Sequence, residues 1–256
     1  MSKYVVLAFF LLTMTGSTLG QNWTQECSYT FTTGNGQNYL QSCVTVNGNV
    51  THFESPSGSE DIGSPPWNRG EGYAFCETSG SPTPYYDFAG FGDSGNWQAP
   101  VLLHSTATSV QIARTSSNNI WTLKQTFTQN AGTANLKVVM SVKNNSAVSR
   151  NIRFMRWVAA SANNDHFHNT FTSSFTSVFA WAGFGLVMQN VPPWTDLAGG
   201  YVQWTPVGPD PCNPFQYVVK NMDLPLVNST GSMYLYYLMT IPPKASRSIA
   251  LTYKAM

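Results

Sequence analysis

Apolar and polar residues alternate along several short stretches of this chain. The alternation is clearest in residues 121–127 and 136–142, where every second residue is apolar. A period of two is typical of β-strands that bury one face. Residues 233–241 are apolar on both faces, which predicts a central strand. We find no stretch of ten residues with the 3.6-residue period of a helix.

Turn-forming residues separate these strands. Asn47-Gly48 is a strong hairpin signal that leads into a strand at 50–54, and further strands follow at 151–158 and 248–253. Because alternating strands must bury their apolar faces, two sheets should pack face to face. The sequence predicts an all-β fold, a single large antiparallel β-sandwich with long aromatic-rich loops. Two smaller sandwiches are the alternative.

Two segments do not fit the strand pattern. Residues 55–100 and 189–215 are rich in Gly, Pro, Ser and aromatic residues, and each contains one cysteine. We interpret both as irregular surface segments. Sites are often found on such segments when a rigid scaffold holds them.

The composition excludes several classes of protein. Only 10% of the 256 residues are charged and the formal net charge is +1, whereas an average soluble protein has about 25% charged residues. This charge gives no electrostatic basis for binding nucleic acid. The hydrophobic fraction of 42% is too high for intrinsic disorder, and 14% of the residues are aromatic.

The first twenty residues have the features of a secretory signal peptide. Lys3 precedes an apolar run at residues 5–12, and small residues at 18 and 20 mark a cleavage site after Gly20. We therefore expect a signal peptide at 1–20, a β-sandwich domain at 21–256, no membrane anchor, and an extracellular or periplasmic location.

Export makes disulfides the expected state of the four cysteines. If Gly34-Asn35-Gly36 is a three-residue hairpin loop, Thr33 pairs with Gln37 and Cys27 lies opposite Cys43. Directly opposed residues are close enough for a disulfide. Of the three possible connectivities, this geometry favours Cys27–Cys43, which leaves Cys76–Cys212.

The aromatic segments provide the first candidate site. Exposed Trp and Tyr rings can stack on the apolar faces of sugars while carboxylates bind the hydroxyl groups. The alternative is that these rings cover the β core, as most aromatic residues do. The predicted ligand-binding residues are Trp67, Tyr85, Tyr86, Asp87, Asp93, Trp97 and Trp194.

A second candidate is catalytic. Gly92-Asp-Ser94-Gly and Asp165-His-Phe-His168 would allow Ser94 to act as a nucleophile, His168 as its base and Asp165 as the group that orients the base. The esterases with this pattern have an α/β/α fold, which the strand-rich sequence argues against. His166 and His168 lie two residues apart and could share a metal ion, but a solvated loop is an alternative interpretation.

Charged residues on predicted strands give further hypotheses. Arg156 shares a strand face with apolar residues, so it must pair with a carboxylate or with carbonyl groups, or else hold a ligand. Asp87, Asp93 and Asn96 match no established calcium spacing. The cysteine spacing matches no zinc motif. We therefore predict no metal and no cofactor.

Several segments together resemble a group of secreted bacterial all-β proteins with no assigned activity. The resemblance is carried by residues 27–50, 70–76, 85–97, 120–126, 143–146, 163–165 and 211–215. It implies a secreted β fold and no specific catalytic residues. Members of this group often have acidic residues at the positions of Ala159 and Ser161. The resemblance therefore argues against a metal or acid–base role near Asp165.

These observations lead to three functional hypotheses. We predict a secreted, noncatalytic binding protein whose partner is extracellular carbohydrate bound by the loop aromatics. The first alternative is a secreted hydrolase that acts on glycans or esters through Ser94, Asp165 and His168. The second alternative is a structural or cell-surface interaction protein.

Overall fold

The computed structural model describes residues 27–62, 70–130, 132–193, 195–219 and 225–256. The predicted signal peptide at 1–20 lies outside these ranges. Within them, no helix is long and apolar enough to cross a membrane.

The described strands form three antiparallel sheets. The three-stranded sheet consists of β1 (Tyr29–Thr33), β2 (Leu40–Val44) and β3 (Val50–Glu54). The six-stranded sheet consists, in spatial order, of β15 (Leu197–Gln203), β17 (Ser232–Ile241), β11 (Arg150–Val158), β4 (Glu71–Glu77), β5 (Thr83–Phe88) and β6 (Gly92–Asp93). The nine-stranded sheet consists of β16 (Leu226–Ser229), β12 (Asn169–Ser173), β13 (Ser177–Ala182), β14 (Phe184–Asn190), β18 (Ser246–Ala255), β10 (Asn135–Asn144), β9 (Trp121–Gln129), β8 (Ser109–Thr115) and β7 (Val101–Ser105).

The nine-stranded and six-stranded sheets bury their alternating apolar faces against each other. Val138 and Met140 on β10 are fully buried, as the alternation predicts. Phe75 on β4 contacts Trp121 on β9 with ring centroids 5.7 Å apart, which joins the two sheets. The predicted all-β sandwich is confirmed.

The three-stranded sheet packs on the same core. Phe31 and Phe53 belong to the main apolar cluster, and the Phe53 ring lies 6.3 Å from that of Tyr253 on β18. Ser42 Oγ also donates a hydrogen bond to Gln129 Oε1 on β9. Apolar contacts and a buried hydrogen bond therefore hold this sheet to the sandwich.

The predicted register of the first hairpin is wrong, although its disulfide is correct. Thr33 pairs with Leu40 rather than Gln37, because a 3-10 turn at Gly36–Asn38 lengthens the loop. Cys43 consequently faces Thr30. Cys27 lies ahead of β1 and still forms a disulfide with Cys43, across a Cα–Cα distance of 5.6 Å.

The prediction that 55–100 and 189–215 are irregular is also wrong in part. The first segment contains β4 and β5, and the second contains β15. All seven residues of β4 are buried, because one face meets the core and the other is covered from outside. A strand covered on both faces loses the alternation that identifies a half-buried strand.

The second predicted disulfide, Cys76–Cys212, is confirmed. It fixes residues 204–219 over the outer face of the six-stranded sheet. Arg153 Nη1 donates to Cys212 O at 3.1 Å, and Tyr234 OH donates to Pro214 O at 2.8 Å. The irregular part of the second segment therefore lies over β4, β11 and β17.

Candidate functional site

Two of the predicted sugar-stacking rings belong to the core. Tyr85 and Trp97 are 1% and 8% exposed. Both contact Phe75 between the sheets, with ring centroids 4.8 Å and 5.7 Å from it. The prediction that these two rings form a binding platform is therefore wrong, because Tyr85 points inward from β5 and Trp97, outside the named strands, packs on the same core ring. Tyr86, the neighbour of Tyr85, is half-buried on the outer face, where it stacks on Phe88 at 5.4 Å.

Trp67 and Trp194, the two other predicted rings, lie outside the described residues.

Asp87 and Asp93 bind a buried arginine rather than an accessible ligand. Arg114 Nη1 contacts Asp87 Oδ2 and lies 2.9 Å from Asp93 Oδ2. Asp87 is fully buried and also accepts hydrogen bonds from the side chains of Asn47 at 2.8 Å and Asn49 at 2.6 Å. A sugar cannot reach Asp87, so its predicted ligand-binding role is corrected to a structural one. Asp93 keeps a partly exposed side chain.

Arg156 forms a second buried ion pair, as its inward position predicts. Its guanidinium binds both oxygens of Glu71 and donates to Gln125 Oε1 at 2.6 Å. Burial lowers the pKa of Arg156, but the Glu71 carboxylate more than offsets this effect, so the guanidinium stays charged. Its donors are bound within the protein, which makes it a structural residue.

The proposed catalytic residues are only partly brought together. His168 Nδ1 lies 3.2 Å from Asp165 Oδ1. Ser94 lies directly after β6 at an edge of the six-stranded sheet, where its Oγ accepts a hydrogen bond from the backbone N–H of Asn96 at 3.3 Å. Among the described residues, no hydrogen bond links Ser94 to His168. Asp165 and His168 therefore form a carboxylate–imidazole pair, but Ser94, the predicted nucleophile, is not hydrogen-bonded to it.

Asp165 is held as an ionised carboxylate. The backbone N–H groups of Phe167 and His168 donate to its Oδ1 at 2.9 Å and 2.8 Å. The Phe167 hydrogen bond contributes most to lowering the pKa of Asp165, and His168 lowers it further. A lowered pKa makes Asp165 a weaker base, so it is suited to orient His168, and both side chains reach solvent.

Exposed aromatic rings do occur in the second segment, residues 189–215, and next to it in the fold. Phe175, Trp204 and Phe215 are at least half exposed, and Tyr201 and Tyr217 are partly exposed. Tyr201 and Phe215 have ring centroids 5.1 Å apart, and Trp204 and Tyr217 have centroids 5.5 Å apart. We call these five residues the aromatic surface. None of the five was predicted as a binding residue, although Tyr201, Trp204 and Phe215 fall in the segment 189–215 that we interpreted as irregular.

A cavity of about 320 Å³ opens beside this surface. It lies between the turn at residues 173–175 and β15, and both Phe175 and Tyr201 line it. Gly200 on β15 packs closely against this turn, since a Cβ at that position would lie 2.7 Å from Ser174 O. Ser173, Ser174 and Tyr201 are the hydroxyl-bearing residues at the cavity wall.

A titratable cluster lies on the outer side of β3. His52 Nε2 lies 3.3 Å from Glu54 Oε2, and His52 Nδ1 contacts Glu60 Oε2. Burial lowers the pKa of His52, but Glu60 and Glu54 raise it by more, so the net shift is upward. We call His52, Glu54 and Glu60 the His52 cluster. The alternation of strand 50–54 places His52 and Glu54 on one face, but Glu60 follows a turn that the sequence does not reveal.

The segment containing Asp165 packs beside Glu60. Asn164 N donates to Glu60 O at 2.8 Å, and Asn163 N donates to Asp61 Oδ1 at 3.0 Å. Burial raises the pKa of Asp61 to about 7. His166 Nδ1 lies 2.9 Å from Ser161 Oγ. One end of the molecule therefore gathers several proton-exchanging groups.

No protein-family profile matches the chain, and no curated protein matches it significantly. Solved structures do match. A bacterial glucoamylase complexed with acarbose superposes with a TM-score of 0.64 at 8% identity, over 91% of this chain and 32% of the glucoamylase chain. This chain therefore spans about a third of that protein.

Two smaller proteins match over nearly their whole length. An aldose epimerase homologue from C. elegans has a TM-score of 0.54 at 7% identity, over 89% of this chain and 98% of its own. A galactose mutarotase-like protein from Lactobacillus casei has a TM-score of 0.51 at 9% identity, over 89% and 100%. At these identities, the matches establish a shared β fold.

Proposed function

We propose that this protein is exported and binds carbohydrate through the aromatic surface. The observation that carries the proposal is a 320 Å³ cavity lined by Phe175 and Tyr201, with the exposed Phe215 ring 5.1 Å from the Tyr201 ring. Soluble proteins seldom expose several large rings together unless the patch binds something.

The chemistry of the patch suits a sugar. A pyranose ring has an apolar C–H face that packs on aromatic rings, and its hydroxyl groups need nearby polar partners. Tyr201, Tyr217 and Trp204 combine an apolar ring with a hydrogen-bonding group. None of the residues that line the cavity is charged, so the ligand is expected to be a neutral saccharide.

The fold supports the same class of ligand. The matching proteins are named as a glucoamylase with acarbose, an aldose epimerase homologue and a galactose mutarotase-like protein. All three names refer to sugars or to enzymes that act on them. The two disulfides agree with export to an oxidising compartment.

A glycan array followed by calorimetry tests the proposal. We expect Tyr201→Ala and Phe215→Ala to weaken binding of the selected neutral oligosaccharide by at least about tenfold, because each removes a stacking ring. Trp181→Ala is the matched control, since Trp181 is 50% exposed and does not line the cavity. Absence of any saccharide binding, or equal loss in the control, would contradict the proposal.

A second candidate function is proton transfer on a sugar. The pairing of Asp165 with His168 at 3.2 Å in an exposed position favours it. Such a pair can remove a proton from one sugar oxygen and return it to another. This function is a form of the glycan-directed enzyme alternative and does not use Ser94.

The rates of anomer exchange and of glycan cleavage test this second function. We expect His168→Gln to lower the rate at which an aldose exchanges anomers, or at which a glycan is cleaved. His104→Gln, at an exposed histidine on β7, is expected to leave the rate unchanged. A wild-type rate equal to that of buffer alone would exclude the enzyme.

A further inference from the structure

The His52 cluster has the geometry of a metal-ligand set. One ring nitrogen of His52 and one oxygen each from Glu54 and Glu60 lie within 4.8 Å of one another. The amide oxygen of Gln41 lies 3.1 Å from His52 Nε2 and supplies a fourth potential ligand. The register of β2 and β3, which pairs Gln41 with Glu54 and Cys43 with His52, aligns these side chains.

Each carboxylate uses one oxygen to fix its orientation and directs the other at His52. Glu60 Oε1 accepts the backbone N–H groups of Phe53 at 2.8 Å and Ile62 at 3.0 Å. Glu54 Oε1 accepts the N–H of Gly58 at 2.6 Å. Hydrogen bonds of this kind orient ligands around a metal ion in proteins.

The remaining oxygens of Glu54 and Glu60 lack the arginine donors that the buried carboxylates Glu71 and Asp87 have. Glu71 and Asp87 are each neutralised by an arginine. In the described part of the chain, no lysine or arginine forms an ion pair with Glu54 or Glu60. Apart from the His52 imidazole, Glu60 Oε2 has no hydrogen-bonding partner among those residues, although Glu60 is only 5% exposed.

We propose that His52, Glu54 and Glu60 bind a divalent transition-metal ion, for which Zn²⁺ is the first probe. Two carboxylates and a neutral imidazole carry a charge that such an ion balances. The imidazole favours Zn²⁺ over Ca²⁺, which takes oxygen ligands. His52 and Glu54 are partly exposed, so an ion can enter from solvent. This inference departs from the expectation, drawn from the sequence, of no metal.

Calorimetry on the full exported chain, purified without a histidine tag and stripped with a chelator, tests the site. We expect one Zn²⁺ per chain, weaker binding of Ca²⁺, and a higher melting temperature with Zn²⁺ present. His52→Gln, Glu54→Gln and Glu60→Gln should each weaken Zn²⁺ binding by at least about tenfold. His104→Gln is the control and should bind as the wild type does.

Circular dichroism must show that the variants are folded. Glu54→Gln guards against misfolding, because Glu54 lies nearer the surface than Glu60 and its amide keeps the oxygen that Gly58 needs. A folded wild type that binds no Zn²⁺, or a His52→Gln variant with unchanged affinity, would overturn the proposal. In either case the pairing of His52 with the two glutamates would be an ion pair only. Saccharide binding at the aromatic surface does not depend on this outcome.

Discussion

The two aromatic-rich segments, residues 55–100 and 189–215, differ in whether their rings are buried or exposed. In the first, Tyr73, Phe75 and Tyr85 lie on β4 and β5 and point between the sheets, where they are buried. In the second, Tyr201 and Phe215 lie on the outer face of the same sheet and remain partly exposed. Aromatic content therefore does not locate a binding surface, because the face to which each ring points decides its role.

The difference follows from position in the six-stranded sheet. β4 lies in the interior of the sheet, and the opposing sheet covers its inward side chains through Trp121. β15 is an edge strand, and its outward ring Tyr201 packs between Tyr234 on β17 and Phe215 of the irregular residues 204–219. The edge position leaves the Tyr201 ring partly exposed, whereas the inward rings of β4 are fully buried.

We expect the largest effect on stability from replacing one of the buried aromatic rings of the first segment. Phe75→Ala removes a ring that contacts Tyr85, Trp97 and Trp121, and it leaves a cavity. We expect the free energy of unfolding to fall by about 3–5 kcal/mol. Denaturant titration measures it. A loss below about 1 kcal/mol would show that these rings are not core residues.

The Cys76–Cys212 disulfide joins the two aromatic-rich segments, so its removal tests whether the second segment depends on the first. Replacing Cys76 and Cys212 by alanine should lower the free energy of unfolding by roughly 3 kcal/mol. It should also weaken saccharide binding, since Phe215 follows Cys212 closely. The pair Cys27→Ala and Cys43→Ala is the control and should leave saccharide binding intact. Equal effects of the two pairs on binding would contradict the role of residues 204–219.

Asp87 and Asp93 both contact Arg114, but Asp87 is buried and Asp93 is partly exposed. Asp87→Asn weakens the charge-assisted hydrogen bond from Arg114, so we expect a loss of about 2 kcal/mol in the free energy of unfolding. Asp93→Asn should cost less, because solvent screens its contact with the same arginine. Thermal and chemical unfolding measure both. If saccharide binding failed in folded Asp87→Asn, the predicted ligand role would return.

The buried tyrosines predict a dependence of stability on alkaline pH. Burial raises the pKa values of Tyr73, Tyr234, Tyr237 and Tyr253 above the ordinary value of 10.0. As the pH rises past that value, the unfolded chain releases protons that the folded chain retains, so stability falls. Phenolate absorbance and circular dichroism should therefore change together for these residues. Their ionisation without unfolding would contradict their burial.

Much of the fold could be predicted from sequence. Strand 50–54 and the alternating residues of β10 were predictable because each strand buries one face only. The hairpin at Gly34 was predicted with the wrong register, since glycine spacing does not reveal the 3-10 turn at Gly36–Asn38. β4 was missed because both of its faces are covered.

The sites were much less predictable. The inward position of Arg156 followed from alternation on one strand, and its partner Glu71 comes from a strand 85 residues away in sequence. The His52 cluster likewise needs Glu60, which reaches His52 only through the turn after β3. No sequence pattern links Tyr201 with Phe215, since the two rings are brought together by packing against β17 in the folded protein.

Aromatic-ring NMR during saccharide titration tests the central claim most directly. We expect the resonances of Tyr201, Phe215 and Tyr217 to shift on binding, while those of Phe75 and Tyr85 do not. Shifts confined to the rings of the first segment, or to the region of Asp165 and His168, would contradict the claim that the aromatic surface binds carbohydrate.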